Sequence, residues 1–248
     1  EEVTDHIGQN LKGETMTTID TNTSGVPARI LQSPKHWRNR KHEPHWRSGD
    51  EEFDAAKLGM WLFLSTEVLL FAGIFCGYAI FRMLYPEAWA NGSHYLDWRM
   101  GAANTAVLLI SSWTAANAVR LAQLDKQFWF KINIIVTIIC ALIFVGVKFT
   151  FEYGVKLPQG KAPGAFFSYP NAHDVHEPLW WSLYYVGTGI HAFHVIVGAI
   201  LFGVVLWYAQ RHQAYGPTQY TLVENSALYW HIVDLIWIFL FPLLYLIH

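Results

Sequence analysis

Five apolar stretches, at about 57–82, 101–122, 128–153, 179–209 and 226–247, each exceed the roughly 20 residues that carry an α-helix across about 30 Å of hydrocarbon. Lipid offers no hydrogen bonds, so backbone groups in such a stretch must be satisfied within it, and a long uninterrupted apolar run folds as a helix. The prediction is an all-α, polytopic transmembrane bundle of five helices. Charged residues are only 15% of the 248, against about a quarter in soluble domains, and the 12 Trp suit membrane–water boundaries. A net charge of -2 supplies no basic field for a nucleic-acid partner. Cys76 and Cys140 lie inside apolar stretches and form no CxxC, so neither a disulfide nor a thiolate metal site is expected.

Residues 1–50 are polar and without helical or strand period, which reads as a largely extended tail before a membrane domain over 51–248. Basic residues set the orientation. With the N-terminus inside, the inner flanks carry Arg38, Arg40, Lys41, Arg47, Lys57, Arg120, Lys126, Lys131 and Arg211; the outer ones carry Arg82, Arg99, Lys156 and Lys161. Nine against four places the N-terminus inside and the C-terminus outside. Apart from 154–178, with four prolines, the connections are short, so successive helices should lie antiparallel.

Small and polar residues recur at helical spacing. Thr66, Gly73 and Gly77 do so in the first stretch, Asn104, Leu108, Ser111, Ala115 and Ala118 in the second, and Gly187, His191, His194 and Gly198 in the fourth. Small side chains let backbones approach and polar ones bond across helices, so these are expected contact faces.

The candidate chemistry is sparse. Glu67 lies about 15 Å deep by helical rise, and a carboxyl there has to be paired or protonated. Two readings stay open: a proton-exchanging carboxyl, or a protonated one bonded to a neighbour. His191 and His194 are three apart, and His231 is the other histidine well within a span; the three could ligate haem or metal, or bond within the bundle. Glu224, His231 and Asp234 share one face of the last stretch, fit for a proton relay or a tertiary contact. Lys148 and Glu152, four apart, read as an ion pair. No nucleophile–base–oxyanion set is evident.

The runs GMWLFLSTEVLLFAGIF (59–75), GTGIHAFHVIVG (187–198) and YWHIVDLIW (229–237) resemble subunit III of haem–copper oxidases, in the same order and spacing. Asn104 and Thr105, and FEY at 151–153, add to the likeness, which runs from about residue 57 to the end. The resemblance implies a subunit III with no catalytic site and no metal or cofactor of its own. Haem and copper are then expected in partner subunits, and a bound phospholipid is compatible with it. Such a chain packs against subunit I, alongside subunit II and small subunits or a respiratory supercomplex, in the bacterial inner membrane. It stabilises subunit I and supports proton uptake in an oxidase that reduces oxygen and pumps protons.

By resemblance Glu67 matches the family's intramembrane carboxyl, His191 and His194 its paired histidines, and Tyr229 to Trp237 its C-terminal signature, with Glu224 just before. Asn104, Glu152, His191, His194, Glu224, His231 and Asp234 are expected to form a structural polar seam. Larger members have seven helices, and the first two lack counterparts here. Cytochrome c is the expected electron donor, with a quinol oxidase or a nitric-oxide-reductase-associated homologue as the alternative. Two readings from other classes are a di-haem electron carrier using His191, His194 and His231, and a lone proton channel using Glu67 and Asp234.

Overall fold

The computed structural model describes Trp46 and residues 49–170, 172, 174–212, 215–216 and 220–246; the tail expected over 1–50 lies almost wholly outside them. Among the described residues the chain is helical, with no strand. The five apolar stretches become α1 (Gly49–Leu84), α3 (Trp98–Gln123), α4 (Gln127–Val147), α5 (Glu177–His212) and α6 (Thr221–Tyr245), with a short α2 (Pro86–His94) after the first. Four helices, over Glu51–Leu84, Gln127–Lys156, Glu177–Arg211 and Thr221–Tyr245, are long and apolar enough to cross a membrane.

α3 differs in composition rather than length. Its 26 residues reach about 39 Å at the α-helical rise. Asn104, Ser111 and Thr114, with several alanines, dilute its apolar character and face inward, where they are buried. These small residues let α3 lie close along α4 and α6. Thr114 Oγ1 meets Thr137 Oγ1 of α4 at 2.8 Å. The Tyr78 hydroxyl of α1 donates to the Leu243 carbonyl, and Lys148, just past α4, donates to the Tyr245 hydroxyl, so α1, α4 and α6 all end on one side of the bundle. α3 is therefore the return run between the end of α1 and the start of α4. Asp125, at φ 57°, makes the tight turn into α4 in a left-handed conformation that Asp tolerates better than most residues.

The helix ends differ from the predicted ones for local reasons. α1 starts at Gly49, not near 57, because Phe53 is buried against the Tyr220 ring and the acidic stretch before Asp54 suits a helix N-terminus. α2 has too short a periodic pattern to stand out, although Pro86 opens it. Its Gly92 is needed for close approach: a Cβ there would sit 2.3 Å from the buried Trp180 ring. α4 runs on through a π-helical turn, Lys148–Tyr153, to Lys156. Such turns are rare and concentrate where helices carry specific side-chain constellations.

The contact face expected at Thr66, Gly73 and Gly77 is not one among the described residues. A Cβ added at Gly73 or Gly77 would meet nothing within 4 Å, and Thr66 is exposed with its hydroxyl donating to Phe63 O at 2.6 Å. α1 instead packs through the opposite side, where Leu64, Phe71 and Tyr78 are buried at heptad spacing. Small residues signal room for an approach without saying which side the fold uses. Gly73→Ala and Gly77→Ala should therefore leave the packing of the chain intact and raise helix stability by up to about 1 kcal/mol each. Thermal unfolding of the purified chain in detergent checks this.

The segment between α4 and α5 covers the far end. Lys161 lies over the Tyr95 and Tyr169 rings at 4.0 and 4.5 Å, and burial lowers its ammonium pKa, partly offset by Glu177. Asp174 Oδ1 accepts the His176 backbone N–H at 3.0 Å, which holds its carboxyl below the usual range. A depressed carboxyl stabilises fully above its unfolded pKa and loses that contribution as pH falls through the folded one. Amide exchange at 174–177 should thus accelerate relative to the α5 interior on acidification.

Candidate functional site

The polar side chains gather in three places rather than one. The first is mid-bundle. Glu67, near the middle of α1, reaches across to α5, where its Oε2 lies 2.7 Å from His194 Nε2. His194 Nδ1 lies 2.7 Å from the Ile190 carbonyl, which can only accept, so Nδ1 carries a hydrogen. A single further proton is then shared between Glu67 and Nε2, as acid–imidazole or as carboxylate–imidazolium. The pair is enclosed by Phe71 and Tyr229, whose rings lie 5.3 and 6.4 Å from the imidazole. The Glu67 side chain retains 16% exposure.

His191 is only three residues away, yet points to another part of the bundle. Its ring lies between Phe144 of α4 and Trp237 of α6, at 5.5 and 5.0 Å, and both nitrogens are buried without a hydrogen-bond partner among the described residues. The sixty-degree turn between the two positions sends one histidine towards α1 and the other towards α4 and α6.

The second cluster is at the π-helical turn. Lys148 Nζ lies 2.6 Å from Glu152 Oε2 and 2.6 Å from the Tyr245 hydroxyl, at 1% and 6% side-chain exposure for the ion pair. Tyr245 donates to Glu152 Oε1 at 2.7 Å, and Tyr184 also donates to this carboxylate. Lys156 Nζ stands 3.9 Å from Glu152 Oε2. Glu152 is thus saturated by two phenols and two ammonium groups drawn from α4, α5 and α6. The sequence shows the Lys148–Glu152 spacing but not Tyr184, Tyr245 or Lys156, which come from distant or unmarked positions.

The third place is the α3–α6 seam. Trp230 Nε1 donates to Ser111 Oγ at 3.0 Å and Trp237 Nε1 to Thr105 Oγ1 at 3.0 Å. Ser112 Oγ and His231 Nδ1 are 2.7 Å apart. Among the described residues, Asp234 is buried with no hydrogen-bond partner for either oxygen, and Asn104 Nδ2 is likewise unpartnered. The expected shared face of Glu224, His231 and Asp234 is present on α6, but its members part company. Glu224 pairs with Lys57 of α1 at 3.0 Å, while His231 bonds to α3. Among the described residues no three His, Cys, Asp or Glu side chains come together to hold a metal ion.

The family profile described as Cytochrome c oxidase subunit III matches residues 30–248. A protein named cytochrome c oxidase subunit 3 from Thermostichus vulcanus is 29% identical over 203 residues, 79% of this chain and 90% of the relative. Its namesake from Corynebacterium diphtheriae is 31% identical over 196 residues, 77% of this chain and 87% of the relative. A protein from Aeropyrum pernix named heme-copper oxidase subunit I+III is 28% identical over 208 residues, 82% of this chain but 24% of the longer relative.

Proposed function

Because this chain belongs to the cytochrome c oxidase subunit III family, we propose that it is the non-catalytic subunit III of a bacterial aerobic terminal oxidase that reduces oxygen to water and pumps protons. In this reading it spans the inner membrane five times, with α3 as the fifth span and the N-terminus inside. The return run of α3 between α1 and α4 supports the count, and the excess of basic residues on the inner flanks supports the orientation. The chain packs against subunit I and steadies it, while the haem and copper belong to its partners.

The observation that carries the proposal is the Glu67–His194 pair. It joins two of the family-like motifs and sets a carboxyl and an imidazole 2.7 Å apart inside the bundle. That arrangement suits a subunit that supports proton uptake without performing redox chemistry. The bonding of His194 to Glu67 and of His231 to Ser112 weighs against a di-haem reading that uses His191, His194 and His231 as ligands.

The test is Glu67→Gln in the assembled oxidase. Gln keeps the volume and one hydrogen bond to His194 but cannot exchange the proton. Assembly should survive, while turnover or proton pumping falls, or decays several-fold faster during sustained catalysis. Equal sustained turnover and pumping in both forms would remove the proton role from Glu67.

A further inference from the structure

We propose that the seam between α3 and α6 centred on His231 is where a transmembrane helix of a subunit I-type chain docks, with His231 Nε2 as its hydrogen-bonding anchor. This rests on the reading of the chain as an oxidase subunit and names the face that reading leaves open. His231 lies near the middle of α6, a helix long and apolar enough to cross a membrane. Its Nδ1 is fixed by Ser112 at 2.7 Å, which aims the ring. Nε2 has no hydrogen-bond partner among the described residues and, unlike the nitrogens of His191, is not enclosed by the bundle. An imidazole nitrogen facing acyl chains would be left unsatisfied in a medium that offers no hydrogen bonds.

The surroundings have the form of a helix-binding seam. Leu109 on α3 and Leu235 and Ile238 on α6 are 49%, 48% and 45% exposed, one on one wall and two on the other, and the small Ala116 is exposed on the α3 side. Behind the histidine, Asp234 is buried beside Ser112 and Cys140, so polar groups concentrate at this seam. The outward side of α4 is built differently. There Ile135, Ile139 and Leu142 are exposed with no polar group among them, as suits lipid contact. The occupant that fits is therefore a helix presenting a side chain that hydrogen-bonds an imidazole, such as Ser, Thr, Asn, Gln or Tyr. A subunit I-type chain is favoured because the Aeropyrum relative's name joins subunit I and subunit III in one polypeptide.

A diazirine-bearing residue placed singly at Leu235, at Leu109 and, as a control, at Leu142 tests this in the complex purified from native membranes. Irradiation followed by mass spectrometry should give adducts with the subunit I-type polypeptide from both Leu235 and Leu109, and lipid adducts from Leu142; adducts with any other oxidase polypeptide would overturn the assignment. In the His231→Leu background the two polypeptide adducts should be lost or displaced. Lipid adducts alone at Leu235 and Leu109, or adducts with a second copy of this chain, would overturn the assignment while leaving the chain an oxidase subunit by its co-purification. A chain that purifies without any oxidase polypeptide would overturn both.

Discussion

Glu152→Leu is expected to destabilise the chain by about 3–5 kcal/mol, the cost of leaving a buried cation without its counter-charge. Lys148 is 1% exposed, and the Tyr184 and Tyr245 hydroxyls offer it only neutral oxygens. Both phenols also lose their acceptor, which leaves further unsatisfied donors in a buried site. The companion substitution Lys148→Met separates the cost of a broken pair from the value of an intact one. In the double variant Lys148→Met, Glu152→Leu, most of the loss should return, since exchanging a buried pair for apolar side chains is often neutral. Thermal unfolding of single and double variants in detergent, followed by circular dichroism, measures the difference. Lys156 keeps the recovery incomplete, because its ammonium also leans on Glu152.

Gly198→Leu comes next, at about 3 kcal/mol, the upper part of the usual range for overpacking. A Cβ at this position would lie 2.6 Å from the Trp230 ring and 3.4 Å from that of Tyr229. Trp230 cannot move aside freely: it is fully buried, packs on Phe202 and donates to Ser111. The same α5 helix supplies the control. A Cβ at Gly203 would meet nothing within 4 Å, so Gly203→Ala should be neutral or slightly stabilising. Retention of the subunit on the purified oxidase, compared between the two variants, reads the contrast directly.

Those glycines also show what a sequence discloses and what it withholds. Gly198 and Gly73 carry the same signal, a small residue in phase with others on an apolar helix. One sits under a tryptophan from α6 and the other faces nothing among the described residues. Periodicity reports that a backbone can be approached, and the approaching element is decided by packing at long range. Glu67 and His194 repeat the lesson. Each stands out as an ionisable side chain at depth, but 127 residues separate them and no local pattern joins them. His191 and His194, adjacent in sequence and alike in type, diverge because three residues of helix turn the side chain towards a different neighbour.

Other features were legible because local physics decides them. Apolar length located the long helices, and the inward seam of α3 followed from Asn104, Leu108, Ser111, Ala115 and Ala118, all of which are buried. The Lys148–Glu152 contact followed from a spacing of four, but its depth and its shell of phenols did not, since these depend on where α5 and α6 deliver Tyr184 and Tyr245. α2 escaped notice because nine residues hold too few turns for a periodic pattern.

In the proposed function the chain is a redox-silent subunit of an oxidase. Purification of its complex from native membranes, identification of the other polypeptides, and an optical spectrum of the chain after separation test it most directly. Co-purification with haem-bearing oxidase polypeptides is expected, with no haem absorbance from the separated chain. Stoichiometric haem held by this chain alone, or purification free of any oxidase polypeptide, would contradict it.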